Sequence, residues 1–483
     1  MGSRIMGRLA LGLLLAGLAW QSACAPVGPD YAPPQTKPPA SWHSKLQRGL
    51  EPVPSKAQTL ARWWEALDDP LLTGLIVQAV ESNLELKQAK ARVRQARALR
   101  GVREAGLFPT ADAGAVAALS RSSESGGAGK IGEYYSAGFD AGWEIDVFGG
   151  VRRSIEASQA ELEASQANLD DVLISLTAEV ALNYVEVRTY QRRREMALAN
   201  LKSQENTYGF IRSRHQAGLV NRLALEQARY NLENTRSRIP VFTSGTEAAM
   251  NRLAVLLGRA PGQLSARLAK AAPVPVPPAR VAVGVPAEAL RRRPDIRRAE
   301  RRLASQSARV GVAEAELYPK FRLAGTIGLE AVNSGDFLKA GSAIWGFLPS
   351  MSWNVFDAGA IRNRIAAQSA VQEEYLLAYE AAVLSALEEV ENNLTAYAQE
   401  QLRRQSLRQA VAAAKEAEVL SQDLYLAGLI NFDSVLDAQR SLLSFQDQLA
   451  ISEGTVTARL ISLYKALGGG WGALPPAPPK PAP

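Results

Sequence analysis

Residues 134–150 read YYSAGFDAGWEIDVFGG, and the stretch from Tyr135 to Val147 decides the fold. Its odd positions hold Tyr135, Ala137, Phe139, Ala141, Trp143, Ile145 and Val147; its even positions hold Ser136, Gly138, Asp140, Gly142, Glu144 and Asp146. A period of two places every odd side chain on one face of a strand, so one face is apolar and the other wet. Beyond Gly149-Gly150 the period changes. Ile155, Leu162, Leu169 and Leu176 recur every seven residues, and Leu173, Val180 and Val187 fill a second row. Seven-residue spacing is the signature of a helix that packs lengthwise on another.

The same pattern is written twice. An offset of 210 carries Leu107-Phe108-Pro109 onto Leu317-Tyr318-Pro319, Trp143 onto Trp353, Arg152 onto Arg362, Ala217-Gly218-Leu219 onto Ala427-Gly428-Leu429, and Leu257-Gly258 onto Leu467-Gly468. A fixed offset over five landmarks predicts a tandem structural repeat. The second copy has its own alternating segments, at about 320–331 and 344–356, against about 110–120 and 134–147 in the first. Its long helix carries Leu376, Val383 and Val390 with Leu387 and Leu394.

The chain has 483 residues, and no interior segment approaches the roughly 20 apolar residues of a spanning helix. At its start Arg4 and Arg8 precede an apolar run from Leu9 to Trp20, with Ser22-Ala23 before Cys24. This reads as a signal peptide over 1–23 and an exported chain. Cys24 is the only cysteine, so no internal disulfide can form. Ser22-Ala23-Cys24 resembles a lipobox, with Gln21 where Leu is usual, so a covalent lipid on Cys24 is expected, and Ala25 resembles an outer-membrane sorting signal.

A proline-rich lipidated segment is expected over 24–60, the first repeat over 61–259, a proline-rich connector over 260–285, the second repeat over 286–469, and a proline-rich disordered tail over 470–483. The charged helix from Pro70 should run to Leu107, and Pro240 should kink the return helix. The long helix from about Val151 to Arg214 comprises some 60 residues, or about 90 Å at 1.5 Å per residue. That is three times the hydrocarbon thickness. Net charge is +7, and the densest basic run, Arg291 to Arg302, reads as a solvated helix face rather than a nucleic-acid patch. Gly129-Lys130 fails as a phosphate loop, since Glu124 and Ile131 stand where Gly and Ser or Thr are needed.

Strands cross a bilayer only as a closed barrel, because an open edge leaves unpaired backbone groups in hydrocarbon. Four strands are too few to close, so copies must share the ring. Two copies would give eight strands and a filled interior; three give twelve and an aqueous lumen. The expected fold is therefore an α+β membrane protein: a trimeric twelve-stranded barrel continuous with a long, coiled-coil-like α-helical barrel.

Catalysis has little to work with. His43 and His215 are the only histidines, and the carboxylates lie on helix faces; no enzyme activity, metal or cofactor is expected. Candidate sites lie elsewhere. Asp140, Glu144, Asp146 and Glu330, opposed by Arg322, would line the barrel lumen. The helical-hairpin turns fall at Gly218 and Gly428. Asp433 and Asp437 follow the second turn four residues apart, hence on one helix face, and three copies would form two acidic rings. The bland alternative is an acidic first turn favoured by the helix dipole.

Several motifs resemble the TolC-type outer-membrane efflux proteins, in particular their OprM/NodT-like lipoprotein branch: Cys24 followed by Val27-Gly28-Pro29-Asp30-Tyr31; Arg238-Ile239-Pro240; Asn251 to Gly258; Arg293-Pro294-Asp295-Ile296-Arg297; and Tyr425-Leu426-Ala427-Gly428 running into Val435-Leu436-Asp437-Ala438. The resemblance implies a homotrimer lipid-anchored in the outer membrane with its helical tube in the periplasm. It also implies a periplasmic adaptor, an inner-membrane pump of the resistance-nodulation-division type, small-molecule cargo and an aspartate gate on which Asp437 falls. Nucleic acid is not an expected partner. Protein or polysaccharide secretion is the alternative within that class, and a periplasmic coiled-coil scaffold without a pore is the alternative outside it.

Overall fold

The computed structural model describes residues 26–54, 57–126 and 129–472. The signal peptide, Cys24 and residues 473–483 of the tail lie outside them. In chain order come β1 (Leu50–Glu51), α1 (Ala57–Ala61), a 3-10 turn (Trp63–Leu67), α2 (Pro70–Ser82), α3 (Leu84–Ala105), β2 (Thr110–Arg121), β3 (Ile131–Ile145), α4 (Gly150–Gln216) and α5 (Arg222–Leu256). Then follow α6 (Ser265–Leu268), β4 (Val281–Ala282), α7 (Pro286–Arg292), α8 (Pro294–Ala315), β5 (Lys320–Ala331), β6 (Ala343–Ser352), α9 (Ala360–Leu426) and α10 (Phe432–Ala466). The chain is mostly helical. The two long helices α4 and α9 each have 67 residues, and the helices that follow them each have 35.

Backbone contacts divide the chain into two units. The first gathers residues up to Gln35, Arg92–Gln166 and Arg298–Glu380, and holds one antiparallel sheet in the order β2-β3-β5-β6. The register pairs like parities throughout: Ala111 with Ala141, Trp143 with Leu323, and Ile327 with Trp345. The apolar residues counted along β3 therefore meet those of β5 and β6 on one continuous face. Two tryptophans fasten the sheet to the preceding turns, Trp143 donating to the Leu107 carbonyl and Trp353 to that of Leu317, each at 3.0 Å. The segment after Cys24 is held here too. The Arg153 side chain, 5% exposed, donates to the carbonyls of Val27 and Gly28 and pairs with Asp30 at 2.7 Å.

The second unit gathers Thr36–Ala91, Ala167–Arg297 and the chain from Ala381 onward. Its core joins Trp63, Leu72, Leu75 and Ile76 to Leu173, Val180, Leu253, Leu257, Val390, Leu394 and Leu460, so the later members of the seven-spaced rows, from Leu169 on α4 and Leu387 on α9, meet in one apolar cluster, while Ile155, Leu162 and Leu376 lie in the first unit. A polar strut crosses it. The Tyr184 hydroxyl donates to Asp69 at 2.7 Å, while Asp69 caps α2 through the N–H groups of Leu71 and Leu72. Burial, and then the Asp69 carboxylate, push the Tyr184 phenol up to about 12. A second apolar cluster, of Ile211, Ala228, Phe432, Val435 and Leu436, sits near the turns of the two hairpins.

Three expectations need correcting. The charged helix from Pro70 is two helices, because Asn83 leaves helical geometry: its side chain accepts from Leu86 N and donates to the Leu256 carbonyl, each at 2.9 Å. An Asn side chain that can bond nearby backbone competes with the helical ladder. Two of the four alternating segments end early, at Ile145 and at Ser352, and the one ending at Ile145 begins at Ile131. The basic run is not simply a solvated face: Arg293 is buried, donating to the Ala466 carbonyl at 2.7 Å and pairing with Asp295 and Glu389, both at 2.7 Å.

Close helix approach is clearest at Gly454 of α10, where an added Cβ would lie 2.2 Å from the Thr189 hydroxyl of α4. Gly454→Ala should lower stability by about 1–3 kcal/mol, the usual cost of overpacking. Thr189→Ala introduced beside it should restore most of the loss in thermal unfolding, since the two changes share one contact.

Candidate functional site

The sheet presents two unlike faces. On the odd-numbered face Phe139, Ile327, Phe347 and Met351 are exposed, and Trp345 is 82% exposed. Among the described residues these five side chains stay uncovered, although solvent-exposed apolar groups of this size are costly in water; at one end of the face Tyr135 packs on Phe337, ring centroids 6.3 Å apart. The even-numbered face carries the candidate lumen residues. Asp140 stands between Asp112 and Thr326 on the neighbouring strands, Glu144 stands opposite Arg322, and Glu330 stands opposite Ser136. Asp112 and Lys320 share that face as well; Asp112 was not singled out by the alternation because β2 is too rich in small residues to show a period.

Asp146 does not belong with them. It lies past the end of β3, and its carboxylate accepts from the N–H groups of Val151 and Arg152 at 2.9 Å and from the Arg152 guanidinium at 3.1 Å. Its role is to cap the first turn of α4, where four N–H groups otherwise lack partners. Asp357 opens α9 in a related way, accepting from Gly359 and Ile361 at 2.9 and 2.7 Å. These bonds, that from Ile361 foremost, hold its carboxyl below the usual range.

The second candidate region is the pair of hairpin turns. Gly218 and Gly428 adopt φ of 74° and 73°, a left-handed conformation in which an L side chain is strained. Each turn closes with the same two bonds, Gly218 N to His215 O and Leu219 N to Arg214 O, Gly428 N to Tyr425 O and Leu429 N to Leu424 O, at 2.9 to 3.0 Å. These satisfy carbonyls that the long helix would otherwise leave open. Asn221 caps α5 through Ala224 N at 3.0 Å.

In the first two turns of α10, Phe432, Val435 and Leu436 face inward onto Ile211 and Ala228, which leaves Asp433 and Asp437 exposed on the opposite side. The two aspartates share a face, as their spacing requires. One turn further on, Arg440 donates to the Tyr230 hydroxyl of α5 at 2.6 Å, with its guanidinium 5.4 Å from the ring centroid. This tie joins the two hairpins, and the alternation and heptad arguments do not reveal it. Gln439 donates to Thr207 of α4 at 3.1 Å beside it. His215 sits at the first turn with Nδ1 3.0 Å from the Val220 carbonyl. Among the described residues no group of three or more His, Cys, Asp or Glu could hold a metal ion, and no helix is long and apolar enough to cross a membrane.

Known proteins share this geometry. The family model described as outer membrane efflux protein matches twice, over residues 75–259 and 285–469. Nodulation protein T of Rhizobium leguminosarum bv. trifolii is 33% identical over 457 residues, covering 93% of this chain and 95% of its own. The toluene efflux pump outer membrane protein TtgF of Pseudomonas putida is 30% identical, with 93% and 95% covered. Among solved structures, the outer-membrane channel OprN superposes with a TM-score of 0.86 at 35% identity, over 92% of this chain and 99% of that one. The open state of the Neisseria gonorrhoeae MtrE outer membrane channel does so with a TM-score of 0.79 at 30% identity, over 92% and 98%. The exposed apolar sheet, the paired long hairpins and the double match to one model all lead to the same place: the chain belongs to the outer membrane efflux protein family.

Proposed function

We propose that the chain is the outer-membrane exit duct of a tripartite efflux system, a passive conduit for small molecules driven by an inner-membrane pump through a periplasmic adaptor. One observation carries this reading. The sheet has a continuous exposed apolar face and two unpaired edge strands, β2 and β6. In hydrocarbon an unpaired edge costs several kcal/mol per group, so such a sheet is stable in lipid only when partners complete it. Strand β6 of one copy can meet β2 of the next in antiparallel order, because the directions alternate across β2-β3-β5-β6. Three copies give a twelve-stranded barrel, with Asp140, Glu144, Arg322 and Glu330 turned to the lumen.

The remaining parts fit this arrangement. The two stretches matched by the family model are read as tandem repeats, and the apolar rows of the long helices as the seams of an α-helical barrel in the periplasm. A lipid on Cys24 would tether each chain beside the segment that Arg153 holds, in keeping with a relative named as a probable outer membrane lipoprotein, SilC of Salmonella typhimurium. Relatives named for toluene efflux and for pyoverdine export support small-molecule cargo. An adaptor and a pump of the resistance-nodulation-division type are the partners proposed. We read the gate at Asp433 and Asp437, backed by the Arg440–Tyr230 tie.

Mass measurement of the detergent-purified protein tests the assembly. Three mature chains per particle are expected, and a stable water-soluble monomer would defeat the proposal. In planar bilayers, Asp437→Ala should raise the basal ionic leak several-fold, because it removes a ring of charge at the mouth; conductance and gating identical to the parent protein would rule out a gate at that position. Reversal potentials in a salt gradient should show cation preference, weakened by Asp140→Asn and strengthened by Arg322→Gln. Anion preference in the parent protein would dismiss the assignment of the lumen face.

A further inference from the structure

The second unit contains a cavity that neither the sheet nor the hairpin turns account for. Its volume is about 420 Å³, within the usual range of small-molecule sites, roughly 300–1,000 Å³. Arg192 and Glu195 of α4, Arg404 and Arg408 of α9 and Glu453 of α10 form one wall, and the connector from Ala271 to Pro277 forms the other. The connector is pinned in place, since the Thr457 hydroxyl donates to the Pro275 carbonyl at 2.8 Å. It offers valine and proline side chains, with Val276 67% exposed. The cavity is thus cationic on one side and apolar on the other.

The three guanidiniums are not equally satisfied. Arg192 pairs with Glu195 at 2.9 Å, and Arg408 with Glu453 at 3.3 Å. Arg404 donates to the neutral amide oxygen of Gln401 at 2.5 Å, and none of its described hydrogen bonds or ion pairs reaches a carboxylate. Arg404 and Arg408 stand one helical turn apart, and like charges at that spacing repel. Burial first, and then the Arg408 charge, pull the Arg404 guanidinium below its ordinary range. Three guanidiniums share the two lining carboxylates, Glu195 and Glu453, and the Glu453 charge acts on Arg404 as well as on Arg408, so the lining keeps one net positive charge. Water only partly screens that charge at Arg404, so an anion is attracted to it.

We propose that this cavity binds an organic anion, with a carboxylate or phosphate head on Arg404 and Arg408 and an apolar body against Val274 and Val276. A planar guanidinium with donors to spare suits either oxyanion. The site is independent of the duct reading, since it needs neither a barrel nor a trimer.

Phenyl phosphate titrated into the detergent-purified full-length protein by calorimetry, at low salt, is the test. One saturable site per chain is expected, weakening as salt is added. Arg404→Gln should weaken binding at least tenfold, about 1.4 kcal/mol, while leaving bilayer conductance unchanged. Val276→Asp, on the opposite wall, should weaken it as well, and inorganic phosphate, which lacks the apolar body, should bind less tightly than phenyl phosphate. Binding by Arg404→Gln equal to the parent, or no binding by the parent at millimolar ligand, overturns the proposal.

Discussion

A β-sheet edge in hydrocarbon has to be paired, and most of this chain can be understood from that requirement. Each backbone N–H and C=O withdrawn from water needs a partner, and a sheet of four strands in the order β2-β3-β5-β6 leaves a row of them on each side. The like-parity register gathers most of the large apolar side chains onto one face, with Val116, Ile344 and Leu348 on the other, so the sheet is suited to lipid on the first side and to water on most of the second. On the proposed reading, further copies of the chain complete such a sheet. Its helices, in contrast, satisfy their own backbones and carry the long apolar seams found in the second unit.

How much of this was legible in the sequence depended on the range of the interaction. Alternation from Tyr135 to Ile145 reports which side chains share a face, and the structure keeps that parity through every strand pair. It says nothing about where a strand stops. Asp146 has the right parity for the wet face, yet the helix after Gly149 needs an acceptor for its first N–H groups, and Asp146 is within reach. The heptad rows located the long helices well, because a stripe of leucines and valines reports its own periodicity. They could not show that Asn83 would break an otherwise charged helix, since its partner, the Leu256 carbonyl, lies 173 positions away.

The candidate site was split in the same manner. Glycine at 218 and 428 and aspartate four residues apart are local signals, and both turns adopt the left-handed geometry that such glycines suggest. The tie from Arg440 to Tyr230 joins positions 210 apart, on two helices whose mutual placement no local pattern states. Arg293 makes the same point for charge. A run of arginines looks solvated along the sequence, but Glu389 and the Ala466 carbonyl arrive from distant helices and turn one of them into a buried strut. Short-range rules identify the parts, whereas long-range polar contacts decide which of them are joined.

The matched dimensions of the two hairpins, 67 residues followed by 35 in each half, restrict how this chain can change over generations. Removing one residue from a helix shortens it by about 1.5 Å and rotates everything beyond by about 100°, which swings an apolar seam out of its groove. A length change survives most easily when it comes in whole heptads, and when both arms of a hairpin and both halves of the chain acquire it together. Drift in rod length is therefore quantised and coordinated, while the loops between strands are free to vary one residue at a time.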